Sequence, residues 1–174
     1  MKQKTYFIAF LLICSLISSC KSDDELNYQN DFKTSRKVWM NFKESSNNSY
    51  KYVVSSGSVF TTYGWETTIT VSNGIIIQRD FVYTGDTGNI HQDQLAWTEG
   101  ENEINSHEHS SAATALTLDE IYFKAEYEWL IKRKNANIYF ESKNNGLIST
   151  CGYFENGCMD DCFVGITIKS IEAL

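Results

Sequence analysis

Three histidines in the middle of the chain give the pattern closest to a metal site. His107 and His109 flank Glu108, and His91 lies earlier in the same polar stretch. In an extended segment, two imidazoles two residues apart point to the same side, and imidazole suits transition metals. Serines surround the pair, and no second cluster with metal-ligand spacing occurs in the sequence. We therefore predict a solvated loop without metal or cofactor, and His107 and His109 are the candidate ligands if a metal binds.

Cys151, Cys158 and Cys162 are the second group of residues that could do chemistry. Zinc would need a fourth ligand that no nearby histidine supplies. The neighbouring carboxylates of Asp160 and Asp161 disfavour a reactive thiolate. Outside the cytoplasm such cysteines oxidise readily. We predict one disulfide and one free thiol, and the spacing does not decide which two of the three pair.

Paired acids at Asp119-Glu120 and Asp160-Asp161 could suggest hydrolysis of sugars. A glycosidase, however, needs two carboxylates facing each other across a cleft, which adjacency in sequence does not provide. We interpret the first pair as a helix start and the second as a solvated turn. The sequence contains no Gly-rich phosphate loop, Gly-x-Ser-x-Gly elbow or histidine metalloprotease helix. An enzyme is therefore our third hypothesis, behind two kinds of binding protein.

Aromatic residues are the candidates for a binding surface. Tyr and Trp dominate interface hot spots, and their flat apolar faces suit sugars. The candidates are Tyr63, Trp65, Tyr83 and Trp97. Our leading hypothesis is a non-enzymatic domain for an extracellular macromolecule or glycan, which a groove lined by the first three would favour. The alternative is an envelope inhibitor or immunity protein whose loop, residues 84–115, enters the cleft of a hydrolase with Trp97 or the histidine pair at its tip.

The elements that must position these residues follow from periodicity. Apolar residues on one side of a helical wheel predict a helix over 31–46, and Thr117 with Glu120 forms a capping box that opens a second helix ending at Asn135. Asn73-Gly74 predicts a hairpin. Runs of aromatic and β-branched residues predict strands at 50–54, 66–71, 75–83, 137–141, 147–154 and 163–171. The fold class is α+β, an antiparallel sheet of about five to six strands packed against two main helices.

The first residues have the layout of a cleaved signal peptide. Two lysines precede an apolar run, residues 6–17, that is too short for a stable membrane span. Ser18-Ser19-Cys20 resembles the lipobox of bacterial lipoproteins, which implies cleavage before Cys20 and lipidation of its thiol. The following acidic stretch resembles the signal that exports lipoproteins of Bacteroidota to the outer face of the outer membrane: Ser22, Asp23, Asp24 and Glu25. We predict a signal peptide at 1–19, a lipidated tether at 20–30 and a single domain at 31–174.

Charge narrows the range of partners. Loss of residues 1–19 removes two of the 15 basic residues and none of the 22 acidic ones, which moves the formal net charge from −7 to −9. Such a field repels phosphate backbones, so we expect no nucleic-acid partner. The expected contacts are the membrane, through acyl chains on Cys20 that each contribute about 0.8 kcal/mol per buried methylene, and an unidentified extracellular or envelope partner.

The mature chain also resembles an uncharacterised family of short bacterial lipoproteins, the domain of unknown function 6174. The resemblance rests on a Trp-bearing helix before a Tyr-rich strand, a helix with an acidic start, and a Gly-containing turn followed by an acidic pair. These are Trp39, Tyr50-Lys51-Tyr52-Val53, Thr117-Leu118-Asp119-Glu120-Ile121, Asn145-Gly146 and Asp160-Asp161. The chain departs from the family in having no proline and in its three cysteines. The resemblance implies a fold and a location, and no chemistry.

The export signal predicts where the domain is exposed. Protease added to intact cells should remove the domain, and replacing Asp23, Asp24 and Glu25 with Ala should protect it, because those acids direct export. Immunoblotting of the domain measures both results. Protection in both strains would place the domain in the periplasm and favour the inhibitor or immunity hypothesis.

Overall fold

The order of helices and strands is the one predicted, with one additional strand. The computed structural model describes residues 28–57, 60–88, 90–106, 111–159 and 162–174. Within these ranges two α-helices, two short 3-10 helices and seven strands are present: α1 Gln29–Ser45, β1 Tyr50–Gly57, β2 Tyr63–Ser72, β3 Ile75–Gly85, a 3-10 helix Gln92–Gln94, β4 Ala96–Gly100, a 3-10 helix Glu101–Glu103, α2 Leu118–Lys124 with a π-helical turn over Ala125–Trp129, β5 Ala136–Glu141, β6 Thr150–Glu155 and β7 Val164–Ala173. None of the described helices is both long and apolar enough to cross a membrane.

The strands form one antiparallel sheet in the order β4-β3-β2-β1-β7-β6-β5. The α+β class is thus confirmed, and the sheet has seven strands where five to six were expected.

The hairpin at Asn73-Gly74 is also confirmed, with φ of 50° and 82° at the two residues. The positive φ of Gly74 favours glycine, and a Cβ there would lie 2.4 Å from the Asn48 side chain in the turn after α1.

The additional strand lies inside the stretch 84–115 that the sequence predicted as one long loop. β4 pairs with Gln78–Val82 of β3 and forms the edge of the sheet. Its five residues include two with low strand propensity, Glu99 and Gly100, so local sequence does not reveal it. Pairing with β3 and burial of Glu99 hold the segment in place. The connection is therefore part of the fold and not a free loop over that span.

The second helix is shorter than predicted. Its capping box is present, with Glu120 N–H donating to Thr117 Oγ1 over 3.2 Å and Thr117 N–H donating to Glu120 Oε2 over 2.7 Å. The α-helix widens into the π-helical turn at Ala125 and ends at Trp129, not at Asn135. Arg133 ends it by donating to the carbonyls of Trp129 and Ile131 over 3.4 and 2.9 Å.

Asp119 has a role that the sequence did not reveal. It accepts a hydrogen bond from Trp39 Nε1 over 3.0 Å and pairs with Lys43 over 2.6 Å. Both partners belong to α1, so this acid joins the two helices. The predicted capping role belongs to its neighbour Glu120.

Tyrosine hydroxyls connect the core to the start of α2. Tyr50 and Tyr52 of β1 are fully buried. The Tyr50 hydroxyl accepts the Leu118 N–H over 2.8 Å, and the Tyr52 hydroxyl donates to the Leu116 carbonyl. Burial raises the pKa of both phenols well above the usual value. Each side chain therefore fills the core with its ring and satisfies a backbone group with its hydroxyl.

Tyr122 makes the same kind of connection between the helices and β6. Its hydroxyl lies 2.7 Å from Ser35 Oγ of α1 and accepts the Ile148 N–H over 3.3 Å. Burial raises the pKa of Tyr122 to about 12. One phenol thus links α1, α2 and the chain entering β6.

These phenols predict loss of stability in alkali. Ordinary tyrosine has a pKa of 10.0, and that of Tyr122 is about 12, so between these values the unfolded chain loses protons that the folded chain keeps. The contribution is fully present below pH about 10 and lost as pH rises through about 12. Urea denaturation across this range should show a falling free energy of unfolding, and Tyr122→Phe should reduce that slope.

Tyr122→Phe should also lower stability at neutral pH by about 1 kcal/mol, because the Ile148 N–H loses its acceptor. The matched control is Tyr127→Phe, which removes an exposed hydroxyl from the same helical segment. If the free energy of unfolding falls equally steeply between pH 10 and about 12 in Tyr122→Phe and in the unaltered chain, Tyr122 does not cause the loss of stability in alkali.

Candidate functional site

A groove lies where the sheet divides. β7 pairs with β6 through Val164–Thr167 and with β1 through Ile168–Ala173. β1 continues past Val54 to Gly57 paired with β2 alone. Two arms of the sheet therefore diverge, and between them is a groove of about 1220 Å³. We call the place of divergence the fork.

One arm presents a first aromatic cluster, which we define as Tyr63, Trp65, Phe81 and Tyr83. The Tyr63 and Tyr83 rings are 5.6 Å apart and perpendicular, and Phe81 lies 4.9 Å from Tyr83 and 6.2 Å from Trp65. Phe81 is buried, and the other three are half-buried and line the groove. The alternation of β2 and β3 brings them to one face, since Trp65 is directly opposite Tyr83. These three are residues that the sequence proposed for glycan binding.

The other arm presents a second aromatic cluster, Tyr139, Phe154 and Phe163. Phe154 lies 5.5 Å from Tyr139 and 5.0 Å from Phe163, and all three line the groove. Tyr139 is 45% exposed and stands between the buried residues Ile138 and Phe140, so alternation turns it away from the core. Sequence reasoning missed this cluster, although an aromatic at an outward position of a strand was the available signal.

A pair of glycines makes room for the second cluster. Gly152 of β6 is directly opposite Gly165 of β7. A Cβ on Gly152 would lie 2.6 Å from the Phe163 ring and 2.4 Å from the Val164 carbonyl, and a Cβ on Gly165 would lie 2.2 Å from the Cys151 carbonyl. The two strands can therefore approach closely, and the Phe163 ring can lie over the backbone, only because side chains are missing here.

The rest of the groove is polar but almost without charge. Hydroxyl side chains line it between the clusters: Ser55, Ser56, Thr61, Ser111, Thr114, Thr150 and Thr167. Lys124 is the one charged side chain among the described lining residues. Its ammonium pairs with Glu128 at 2.9 Å, four residues further along the helical segment. Among the described lining residues, no histidine or carboxylate stands beside a hydroxyl to act as its base.

A buried ion pair fixes one wall of the groove. Arg79 of β3 and Glu99 of β4 are 3% and 0% exposed, and Arg79 Nη1 lies 3.1 Å from Glu99 Oε2. Arg79 Nε also donates to the Ala113 carbonyl over 2.9 Å, and Glu99 accepts the Asn105 N–H over 2.7 Å. The guanidinium lies 4.9 Å above the Trp97 ring.

Hydrogen bonds like those of the ion pair continue into residues 111–116, several of which line the groove. Ala113 N–H donates to Thr67 Oγ1 over 3.0 Å, and Ala115 N–H donates to Asn105 Oδ1 over 2.9 Å. Ser111, further along this wall, lies 3.4 Å from the Tyr83 hydroxyl. Polar contacts at the sheet edge therefore position residues 111–116 against the first aromatic cluster.

Trp97 does not stand at the tip of a loop. It lies on β4, where its ring stacks on Phe81 at 5.3 Å. The sequence placed it in the patch with Tyr63, Trp65 and Tyr83. The structure puts it beside that patch, on the neighbouring strand, and not among the residues that line the groove.

The structure describes only some of the remaining candidate residues. His107 and His109 lie outside the described residues, as do Cys20, Ser22, Asp23, Asp24, Glu25, Asp160 and Asp161. His91 is exposed and its Nδ1 lies 2.6 Å from Asp93. In the described ranges, no three His, Cys, Asp or Glu side chains come together as a metal site would require.

The structure shows which two of the three cysteines pair, a question that the sequence left open. Cys158 and Cys162 are joined by a disulfide that closes the turn before β7. Cys151 is a free thiol, fully buried on β6. Burial raises its pKa well above the usual value, which disfavours the thiolate and makes Cys151 a core residue rather than a nucleophile.

No protein-family model, curated protein or solved structure matches this chain. The resemblance to the lipoproteins with the domain of unknown function therefore stays a prediction, and function has to be argued from the groove itself.

The ion pair allows a test of what holds the groove wall. Glu99→Ala leaves the Arg79 guanidinium buried without its carboxylate, which should lower the free energy of unfolding by about 3 to 5 kcal/mol. Glu99→Gln, which keeps an acceptor, should cost less. Glu101→Ala, at an exposed acid two residues away, should change stability by no more than about 0.5 kcal/mol. Urea denaturation measures the free energy of unfolding of all three variants. Equally small decreases for Glu99→Ala and Glu101→Ala would show that the ion pair does not stabilise the groove wall.

Proposed function

We propose that this chain is a surface-exposed outer-membrane lipoprotein whose single domain binds a glycan, without catalysis, in the groove at the fork. Lipidation at Cys20 would hold the domain at the membrane, and the acidic tether would present it outside the cell. The observation that supports glycan binding best is the pair of aromatic clusters on opposite arms of one groove.

Aromatic rings and hydroxyls together suit carbohydrate. A sugar ring has an apolar face that packs on Tyr, Trp or Phe, and its hydroxyls donate and accept hydrogen bonds. Tyr63 and Trp65 offer such faces on one arm, and Tyr139 and Phe154 on the other. The Ser and Thr side chains between them can donate and accept. Rigid aromatic rings lose little conformational entropy on binding, which favours them as contact residues.

The position of Trp97 argues against the inhibitor alternative. An inhibitory loop must protrude to enter the cleft of a hydrolase. The described part of residues 84–115 contains a paired strand, β4, and the buried side chain of Glu99. Trp97, one of the two proposed tips, is stacked against Phe81, and the other, the pair His107 and His109, lies outside the described residues. A groove between two arms accepts a ligand, whereas an inhibitor presents a projection.

The experiment is a screen of the full lipoprotein, purified in detergent, on an array of neutral and acidic glycans. We expect at least one glycan to bind, and Tyr63→Ala to weaken its binding at least about tenfold because a stacking face is lost. Affinity electrophoresis in gels containing the corresponding polysaccharide gives the dissociation constants.

The matched control is Phe123→Ala. Phe123 is 59% exposed and packs 4.7 Å from Tyr127 on the outer side of α2, away from the groove. Its replacement should leave glycan affinity unchanged. Binding that responds equally to both substitutions, or no binding to any glycan, would refute the proposal.

A further inference from the structure

We infer that the ligand of this groove is an uncharged oligosaccharide chain long enough to contact both aromatic clusters at once. The inference rests on the proposed glycan binding and adds two properties, chain length and charge. Each property comes from a different observation of the groove.

The size of the groove and the separation of its aromatic clusters favour a chain over a single sugar. Pockets for small molecules typically measure roughly 300 to 1,000 Å³, and this groove measures about 1220 Å³. The two clusters lie on different arms of the sheet, one on β2 and β3 and the other around β5 to β7. A monosaccharide stacked on Tyr63 therefore leaves Phe154 uncovered, whereas a chain that crosses the fork covers both.

The fork itself supports a ligand that crosses it. Beyond Val54 and Ile168 no backbone pairing joins β1 to β7, so the hydroxyl side chains on both sides face the open groove: Ser55, Ser56, Thr150 and Thr167. Hydroxyls at this position can hydrogen-bond to the middle of a chain whose ends stack on the clusters. The arrangement is two stacking sites joined by a polar segment.

The charges of the described lining residues favour an uncharged ligand over an acidic one. Lys124, the charged side chain among the described lining residues, already pairs with Glu128. Among the described lining residues, a uronic acid or sulfated sugar would meet no cation other than this paired ammonium. The whole chain carries a formal net charge of −7, which adds repulsion for any polyanion. A neutral sugar meets neither penalty.

Two linked contacts predict how affinity depends on length. Once one end of a chain is stacked, the second stacking step is intramolecular and proceeds at a high effective concentration. Affinity should therefore rise steeply when the chain becomes long enough to reach the second cluster. A site with one stacking position would show no such step.

The test is calorimetric titration of the full lipoprotein with neutral cello-, manno- and xylo-oligosaccharides, from the disaccharide to the hexasaccharide, and with oligogalacturonates of the same lengths. For at least one neutral series, we expect the hexasaccharide to bind at least about tenfold more tightly than the disaccharide. Oligogalacturonates should bind more weakly than neutral chains at every length.

Variants in each cluster test the link between the two stacking sites. Tyr63→Ala and Phe154→Ala should each abolish most of the gain with length, while disaccharide binding persists on the intact cluster. Tyr139→Ala, at a 45% exposed position, is a second probe of the second cluster should Phe154→Ala prove unstable. Phe123→Ala should reproduce the unaltered length dependence.

The outcomes separate this inference from the proposed function. Glycan binding that is independent of length, or that is equal for galacturonates, overturns the inference and leaves the proposed function standing. Loss of affinity with Tyr63→Ala and none with Phe154→Ala or Tyr139→Ala also overturns it, because one cluster is then sufficient. Binding to none of these chains overturns the inference, whereas the proposed function is overturned only when no glycan of the array binds.

Discussion

The buried pair of Arg79 and Glu99 is the contact on which the arrangement of the groove depends. Removing two charges from water is costly, and the attraction between them repays that cost only when further hydrogen bonds satisfy both groups. Here the guanidinium also reaches the Ala113 carbonyl and the Trp97 ring, and the carboxylate also receives the Asn105 N–H. Each additional partner belongs to the edge strand or to the connection after it.

That placement explains how a long polar connection becomes a wall. Residues 101–117 carry few apolar side chains with which to bury themselves against the sheet. In the described part of this segment, side chains of the sheet hydrogen-bond to backbone groups of Ala113 and Leu116, and to that of Leu118 directly after it. Arg79 and Thr67 bind the backbone at Ala113, and Tyr50 and Tyr52 bind it further along, at Leu118 and Leu116. Residues 111–117 therefore form a wall of the groove that side-chain hydrogen bonds hold in place, although they belong to no helix or strand.

The sequence predicted correctly those turns and helix starts whose hydrogen bonds join residues close together in the chain. The Asn73-Gly74 turn adopts positive φ at both residues, and Thr117 with Glu120 closes a capping box, because both motifs satisfy their own backbone within a few residues. β4 escaped prediction because its stability comes from Glu99 meeting Arg79, which is 20 residues earlier in the sequence. The early end of α2 has a local cause that the apolar pattern hides, since the π-helical turn and the Arg133 contacts end the helix although apolar residues continue to Leu130.

The sequence predicted the first aromatic cluster of the groove and missed the second. Tyr63, Trp65 and Tyr83 could be proposed from residue type, and strand register brings them together. The second cluster could not be assembled from sequence, because it requires the close approach of Gly152 and Gly165 that lets Phe163 reach Phe154. The fork is equally invisible in the sequence, since nothing in the residues of β7 indicates that its two halves pair with different strands.

The division of β7 has a consequence for the chemistry of the groove. A strand that changes partners along its length leaves each partner with an edge where pairing stops, and an edge exposes backbone groups and outward side chains to a ligand. At this edge the chain carries hydroxyls and aromatic rings, while its charges are held in pairs or lie elsewhere on an acidic surface. The interior of such a groove is attractive to a ligand that is polar, uncharged and flat-faced, and these are the properties of a neutral sugar.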